Sequence, residues 1–363
     1  MYDVAVIGAG VNGCAVSYYL KQNGKQVALF DREAIGAGGS GAAGAFISPK
    51  FSKSGELKEL MEKAYPFALE FYSKNFPACI KNAPLLHIAK DEDEAKKLIA
   101  FKENTTLDIG TPPLQVIQIL TASAQECENV YVLKGGVVDA KGVCNQMTEG
   151  IDFFNFEVSS LTCKDGYYEI GDIKAKEVIL AYGAYEPLVD EPYINLRGIW
   201  GHRIDIGTST RTEVTMHHHV SISKCEEGLM AIGATHDVHY HPQKNKEPYD
   251  IEKGRKELLE KANLTIELKD VEILADYTGL RCGSNDYMPL VGKIVESKNS
   301  DKEISYYPNL TMINGVGGYG FVMAPYIAKK LCEHIVEGKE IDESIAPVRF
   351  YKRYMKRQQG KKR

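Results

Sequence analysis

The feature that most constrains this chain is a glycine-rich turn between a buried strand and a helix. Tyr2–Ile7 is a short apolar run rich in β-branched residues, typical of a parallel strand with both faces covered. It leads into Gly8-Ala9-Gly10-Val11-Asn12-Gly13 and then into the helix-like stretch Cys14–Gln22. A second β-branched run, Gln26–Phe30, ends on the acidic residue Asp31. Strand, turn, helix, strand and acid in this order predict a dinucleotide-binding βαβ unit.

Each part of this pattern has a physical role. Gly8 allows the tight turn, Gly10 lets the backbone approach a pyrophosphate, and Gly13 allows close packing of helix on strand. The pyrophosphate would lie on the N–H groups of the first helical turn. Asp31 can accept hydrogen bonds from a ribose diol. The contacts predicted from this unit are Gly8, Gly10, Val11, Asn12, Gly13, Asp31 and Arg32.

Composition excludes several classes of protein. The 363 residues can form two domains. The chain contains no run of 18 apolar residues, so no transmembrane helix is predicted. Because the first strand begins at residue 2, we expect no signal or transit peptide. Eight cysteines occur without a CxxC pair, which argues against structural zinc and disulfides and favours a cytoplasmic location. The net charge of −5 gives no general affinity for nucleic acid.

Residues 32–46 follow the acidic residue with almost no large side chains. Such a segment is suited to lying flat against a large planar ligand while its backbone N–H groups donate hydrogen bonds. The alternative is a flexible loop. The contacts predicted from this segment are Gly39, Ser40, Ala43, Gly44 and Ala45.

The segment resembles the second flavin-contacting stretch of the D-amino-acid-oxidase and glycine-oxidase family of FAD enzymes. Later motifs match that family in order: Gly135–Asp139, Glu177–Tyr185, Gly279–Gly292 and Asn314–Gly320. The resemblance implies an α/β fold, in which a Rossmann-like FAD-binding domain of the glutathione-reductase and D-amino-acid-oxidase type is joined to a mostly antiparallel β substrate domain. It also implies cofactor contacts from Val158, Ala181, Gly183, Val316, Gly317, Gly318, Tyr319, Gly320, Phe321 and Val322.

The motifs predict a discontinuous arrangement of domains. The FAD-binding domain is expected at 1–80, 136–190 and 275–345, the substrate domain at 81–135 and 191–274, and a basic tail at 346–363. Alternating stretches at 220–223 and 229–232 predict antiparallel strands in the second domain. The helix-like stretch Glu56–Phe76 contains Pro66, so a kink or two shorter helices are expected.

Arg281 is the predicted catalytic residue. A guanidinium presents two parallel N–H donors that match a carboxylate, and by resemblance Arg281 falls on the family arginine that holds the substrate. The alternative is an ion pair with Asp286. Related enzymes that attach the flavin covalently use a cysteine at the position of Gly279. Cys282 is out of register with that position, so non-covalent FAD is expected. Val316–Gly320 lacks the second arginine of some glycine-oxidase relatives.

The helix after this turn is predicted at Phe321–Val336, and its positive end would favour negative charge on a reduced flavin. Seven of the nine histidines lie between His202 and His241. No ligand spacing of the HExxH type appears, so no metal site is predicted. Core or surface histidines and contacts within the substrate domain remain the alternatives.

The segment 349–363 carries eight Lys or Arg residues and no acid. It is either a solvated tail or, because Phe350, Tyr351 and Tyr354 are interleaved, a site that binds tRNA. Within the family the chain resembles the oxidoreductase half of bifunctional enzymes that oxidise a carboxymethylaminomethyl group on the wobble uridine of tRNA. The alternatives are an oxidase or dehydrogenase of a free amine or amino acid, and a flavin-containing RNA-binding protein without turnover. The electron acceptor and the oligomeric state stay open.

Overall fold

The computed structural model describes residues 1–51, 54–185, 187–300 and 303–361. The chain forms two compact units. The first contains 1–40, 141–198 and 281–363, and the second contains 41–140 and 199–280. Within the described ranges, no helix is long and apolar enough to cross a membrane.

The strands are β1 (Tyr2–Ile7), β2 (Val27–Asp31), β3 (Phe46–Ile47), β4 (Ile80–Asn82), β5 (Leu85–Ile88), β6 (Ile109–Gly110), β7 (Asn129–Val132), β8 (Gly136–Val138), β9 (Asp152–Asn155), β10 (Thr162–Lys164), β11 (Tyr167–Ile170), β12 (Ile173–Leu180), β13 (Leu196–Gly207), β14 (Thr215–His217), β15 (Ser221–Ile222), β16 (Leu229–Gly233), β17 (Glu272–Ser284), β18 (Leu290–Val295) and β19 (Tyr306–Asn314). The helices are α1 (Val11–Gln22), α2 (Gly38–Gly41), α3 (Glu56–Asn75), α4 (Glu92–Asn104), α5 (Leu114–Gln118), α6 (Ala122–Gln125), α7 (Ala140–Met147), α8 (Ile251–Asn263), α9 (Gly320–Glu337) and α10 (Val348–Lys361).

The first unit is built on a sheet with a parallel centre. β1 lies between β12 and β2, β9 extends the sheet beyond β2, and β19 runs parallel to β12. Val4, Ala5 and Val6 are fully buried, as expected of a strand covered on both faces. Helix α1 packs against α9. The predicted strand–helix–strand unit and the Rossmann-like fold are therefore confirmed.

The second unit contains a sheet in the order β17-β13-β16-β15-β14-β5-β7-β6. β13, β16, β15 and β14 pair antiparallel along it, whereas β14 and β5 run parallel. The stretches predicted as antiparallel strands at 220–223 and 229–232 correspond to β15 and β16. Their inward residues Ile222 and Ile232 are fully buried with Ile204 and Met216.

The domain boundaries differ from those predicted. Residues 41–80 and 136–140 group with the second unit, not with the nucleotide-binding one. The reason is a small sheet in the order β3-β8-β4, which ties these segments together, and α3 packs against β3. Helix α3 continues through Pro66, which lies on its exposed side. Of the two predicted alternatives, two shorter helices were therefore wrong, and the kink stays a prediction.

The basic segment after residue 345 is also different from the predicted tail. It forms α10, whose first turn is buried: Arg349, Phe350 and Tyr351 have 5%, 8% and 4% of their surface exposed. Phe350 and Tyr351 pack into the apolar core of the first unit, and α10 lies on β18. The terminal residues Lys362 and Arg363 lie outside the described residues.

Asp286, the alternative partner considered for Arg281, is bound by two other arginines. Arg349 Nε and Nη2 each donate to its carboxylate at 3.0 Å, and Arg353 Nη1 donates at 2.7 Å. Partial burial alone would raise the pKa of Asp286, but the bonds from Arg349 and Arg353 bring it down to about 2. This ion pair fastens α10 to the loop after β17.

We predict that Arg349→Met lowers the free energy of unfolding by about 2–4 kcal/mol, because a shielded carboxylate loses its bidentate partner. Arg353→Met is the matched control: its side chain is 49% exposed, so its loss should cost about 0–1 kcal/mol. Urea unfolding of the purified protein measures both. Equal effects of the two substitutions would show that the buried pair does not fasten α10.

The same ion pair predicts a dependence on pH. The folded pKa of Asp286 lies below the ordinary value, so the stabilisation is complete above about pH 4. It is lost as the pH falls through 4 towards 2, where the folded carboxyl becomes protonated. The difference in unfolding free energy between the parent and Arg349→Met should therefore shrink over that range. A difference that stayed constant would exclude Asp286 as the group responsible.

Candidate cofactor and substrate site

The turn after β1 is packed so closely that it requires glycine. Gly8 has φ +107°, and a Cβ built on it would lie 2.4 Å from the carbonyl oxygen of Ala181, just after β12. A Cβ on Gly13 would lie 1.8 Å from the carbonyl oxygen of Gly8. No side chain fits at either distance. The first turn of α1 is thereby held directly against the carboxyl ends of β1 and β12.

Asp31 fixes this turn from the neighbouring strand. Its Oδ2 accepts from the Ala9 N–H at 2.8 Å, and its Oδ1 accepts from the Glu33 N–H at 2.9 Å. A carboxylate has about four lone-pair positions, so the half-exposed group keeps acceptor capacity for a ribose. Beside it, the Arg32 guanidinium lies 3.6 Å from the centre of the Tyr185 ring.

Two helices begin side by side at this edge of the sheet. A Cβ on Gly320, the first residue of α9, would lie 3.2 Å from Cγ1 of Val11, the first residue of α1. In the described residues, neither N-cap, Gly10 nor Tyr319, caps its helix with a side chain. Ser40 Oγ accepts from the Val11 N–H at 2.9 Å. Two positive helix ends therefore meet where an anionic group would be stabilised.

Open glycine surfaces lie next to these helix ends. A Cβ added to Gly183, Gly317 or Gly318 would meet no atom within 4 Å among the residues that the structure describes. Asn314, which the sequence analysis missed, joins the two segments: its Nδ2 donates to the Gly183 carbonyl and its Oδ1 accepts from the Gly315 N–H, both at 2.9 Å. Its only sequence signal is a polar residue at the end of an apolar strand.

These features fit a dinucleotide flavin. Helix N-termini suit the pyrophosphate, the Asp31 carboxylate suits the ribose, and the uncrowded glycine surfaces suit a planar ring system. The buried Asn12 Oδ1 has no hydrogen-bond partner within the described part of the chain, so an acceptor remains available in the first turn of α1.

Arg281 lies near the end of β17 and is half-buried, and burial lowers the pKa of its guanidinium. Two residues further on, Gly283 forms a β-bridge with Val316. The bridge brings the strand that carries Arg281 against the glycine turn before α9. Cys282 stands between Arg281 and Gly283 on this strand. Burial raises the pKa of its thiol to about 12, so the thiol stays protonated.

Three predicted contacts belong to the second unit, namely Ala43, Gly44 and Ala45. The Ala43 carbonyl accepts from Arg203 Nη1 at 2.7 Å, and the Arg203 guanidinium lies 3.9 Å from the centre of the Tyr277 ring. Arg203 was not predicted from the sequence, where its only signal is the alternation of an arginine and an aspartate on β13.

The first unit contains all other predicted site residues, which are Gly8, Gly10, Val11, Asn12, Gly13, Asp31, Arg32, Gly39, Ser40, Val158, Ala181, Gly183, Arg281, Val316, Gly317, Gly318, Tyr319, Gly320, Phe321 and Val322. Val158 packs against the apolar core of that unit and is partly buried.

The histidines are distributed among several environments. His202 is fully buried and hydrogen-bonds Asp276 at 2.9 Å. β14 ends at His217, whose ring lies edge-on to Phe46 and whose pKa burial lowers to about 3. In the described ranges, no group of three or more His, Cys, Asp or Glu side chains is arranged to hold a metal ion.

Comparison with known proteins agrees with this geometry. The family model for FAD dependent oxidoreductases (DAO) matches residues 3–334. The tRNA 5-methylaminomethyl-2-thiouridine biosynthesis bifunctional protein MnmC of Marinobacter nauticus is 23% identical over 92% of this chain and 55% of its own length. The chain thus spans about half the length of the curated relatives it matches.

Solved structures share the fold. Glycine oxidase from Bacillus cereus superposes with a TM-score of 0.76 at 20% identity, over 94% of this chain and 96% of that one. L-proline dehydrogenase from P. horikoshii superposes with a TM-score of 0.78 at 18% identity, over 97% of this chain and 98% of that one. The chain belongs to the DAO family of FAD-dependent oxidoreductases, and its cofactor is FAD.

Proposed function

We propose that the chain oxidises the C–N bond of a glycine-type secondary amine whose carboxylate is held by Arg281. The observation that carries the proposal is the bridge between Gly283 and Val316, which joins the strand of Arg281 to the glycine turn of the cofactor site. Asp286, the alternative partner considered for Arg281, is itself bound by Arg349 and Arg353.

Bound FAD supplies the hydride acceptor. Arg281 contributes a fixed position for the substrate, because two parallel N–H donors hold a carboxylate in one orientation and thereby set the direction of the α-carbon. Burial makes this contact stronger than it would be in water. The positive end of α9 stabilises negative charge that accumulates at the site.

We further propose that the amine is the carboxymethylaminomethyl group of a tRNA wobble uridine. The substrate loses a hydride from the carbon next to the carboxylate and a proton from nitrogen. Water then adds to the resulting C=N bond, and the product divides into glyoxylate and an aminomethyl base. The likeness to MnmC supports this substrate. An N-substituted glycine has one carboxylate, which agrees with the lack of a second arginine in Val316–Gly320.

The alternative is oxidation of a free amino acid such as glycine, sarcosine or a D-amino acid. It is favoured by the match to glycine oxidase over nearly the whole of both chains. Anaerobic mixing separates the two functions. The panel contains free amines and tRNA from cells that lack the final modification steps, and bleaching of the flavin is followed by absorbance. Bleaching by tRNA at low concentration supports the tRNA substrate, and bleaching only by a free amine supports oxidation of a free amino acid.

We predict that Arg281→Ala slows flavin reduction by about 10²-fold or more while the protein keeps its flavin, because two charge-assisted hydrogen bonds of about 1.5–3 kcal/mol each are lost. Arg281→Lys is the control, since it keeps the charge but not the parallel donors, and it should recover little. Stopped-flow absorbance under anaerobic conditions measures the rates. Reduction at the parent rate in the alanine variant would make Arg281 a structural residue.

We predict that FAD is bound non-covalently, since Cys282 is a buried, protonated thiol and Gly279 stands at the linking position. Acid precipitation should release all of the yellow FAD into the supernatant. Flavin retained in the pellet would contradict this expectation.

We predict that Asp31→Ala weakens FAD binding by about 1–3 kcal/mol, because the ribose and the Ala9 turn both lose a charged acceptor. The matched control is Asp3→Ala. Asp3 accepts from the Gln26 N–H at 3.0 Å at the opposite end of the same strands, and its loss should leave FAD affinity unchanged. Fluorescence titration of the apoprotein with FAD measures both variants. Equal losses would mean that Asp31 acts only through the fold.

A further inference from the structure

The loop between β17 and β18 presents one aromatic side chain to solvent. Tyr287 is 70% exposed, and its backbone has φ +63°, a left-handed conformation that is unfavourable for an aromatic residue. Strain of this kind persists where the surrounding structure holds it, and such positions are concentrated at ligand sites. Folding alone gains little from Tyr287, because most of its ring is not buried.

The residues on either side hold this loop in place. Asp286 Oδ1 accepts from the Ser284 hydroxyl and from the Met288 N–H, both at 3.2 Å, in addition to its bonds from Arg349 and Arg353. Arg349 Nη2 also donates to the Met288 carbonyl at 2.9 Å. The backbone that carries Tyr287 is therefore fixed, so the point from which its exposed ring extends is set before a ligand binds.

Three arginines, Arg197, Arg349 and Arg353, contact the loop. Arg197 Nη2 donates to the Asn285 carbonyl at 3.4 Å, and its side chain is exposed. Arg349, Arg353 and Arg357 follow at intervals of four residues and therefore lie along one side of α10. The acidic residue in these contacts is Asp286, and both Arg349 and Arg353 bind its carboxylate. The four arginines outnumber this one carboxylate, although the whole chain carries a net charge of −5.

We propose that Tyr287, Arg197, Arg353 and Arg357, here called the Tyr287 patch, bind an unpaired segment of RNA beside the reacting base. A base stacks on the Tyr287 ring, and the arginines contact the neighbouring phosphates. Tyr287 is six residues from Arg281, so the Cα atoms of the two residues lie at most about 20 Å apart. A few nucleotides span that distance, so one RNA strand can reach Arg281 with one base and the patch with a neighbouring one. The inference rests on the proposed tRNA substrate and names how it is held.

The chemistry of the patch favours RNA over a protein partner. An exposed aromatic ring flanked by guanidinium groups is the arrangement that binds single strands without reading their sequence. Because the net charge of the chain repels phosphates, a local positive region is needed to hold RNA. A protein interface would require a contiguous apolar surface, whereas the neighbours of Tyr287 here are Asn285, Asp286 and arginines.

The test uses the full chain with FAD bound and two labelled RNAs, an anticodon stem–loop and a fully paired duplex of equal length. Tyr287→Asn removes the ring but keeps a residue that tolerates the left-handed backbone, and Tyr287→Phe retains the ring. The matched control is Tyr306→Asn, since Tyr306 is 40% exposed elsewhere in the same unit. Fluorescence anisotropy gives the affinities, and thermal unfolding verifies that each variant is folded.

We expect Tyr287→Asn to weaken stem–loop binding by about 5- to 100-fold and duplex binding by less than twofold, with Tyr287→Phe and Tyr306→Asn near the parent. Arg357→Gln should reduce the salt dependence of binding, lowering the slope of log K against log salt by about 0.7–0.9. The control Lys330→Gln, on α9, should leave that slope unchanged.

Three results would overturn the proposal, and each has a different meaning. If the parent binds the stem–loop but Tyr287→Asn binds it equally well, the patch is wrong and the tRNA function stands. If the parent binds neither RNA at low salt, the tRNA substrate fails together with the patch. If Tyr287→Asn weakens binding of the duplex as much as binding of the stem–loop, stacking on an unpaired base is rejected as well.

Discussion

At Gly8 and Gly13, the packing between the first turn of α1 and the loop after β1 leaves no room for a Cβ. The Gly13 position lies against the Gly8 carbonyl, and the Gly8 position lies against the Ala181 carbonyl, so three chain segments are held at backbone contact. This closeness brings the N-terminus of α1 to the edge of the sheet. The position of α9, whose first residue contacts Val11, depends on it in turn. The cofactor site is therefore a consequence of backbone packing more than of any polar side chain.

A second interaction organises another part of the same unit. The bidentate pair of Asp286 and Arg349 fastens α10 to the loop that follows Arg281. The segment with the highest positive charge is thereby made part of the core on one side, through Phe350 and Tyr351, while Arg353 and Arg357 remain at the surface. One ion pair thus connects fold stability, the strand that carries the proposed clamp, and the surface that we propose for RNA.

Local patterns predicted the elements that local physics controls. β1, α1 and β2 follow from β-branched runs and glycine positions, and α9 ends at Gly338, which adopts the left-handed conformation of a helix C-cap. The sequence did not predict that 41–80 joins the second unit. That grouping depends on pairing of β3 and β4 with β8, which lies more than 50 residues away along the chain. The contacts of Asn314 with Gly183 and of Arg203 with Ala43 were missed for the same reason, since they join residues that are distant in sequence.

By itself the sequence determined the dinucleotide turn, because glycine placement and β-branched periodicity act over a few residues. The order of the flavin motifs and the family followed from the resemblance of those motifs to known FAD enzymes. The tertiary structure alone decided that the basic C-terminal segment is a docked helix, that Asp286 pairs with Arg349 and Arg353, and that Tyr287 is exposed on a fixed loop. Charge pattern gives the sign of a segment, but burial depends on which apolar surfaces meet after folding. Those contacts join residues that are far apart in the chain.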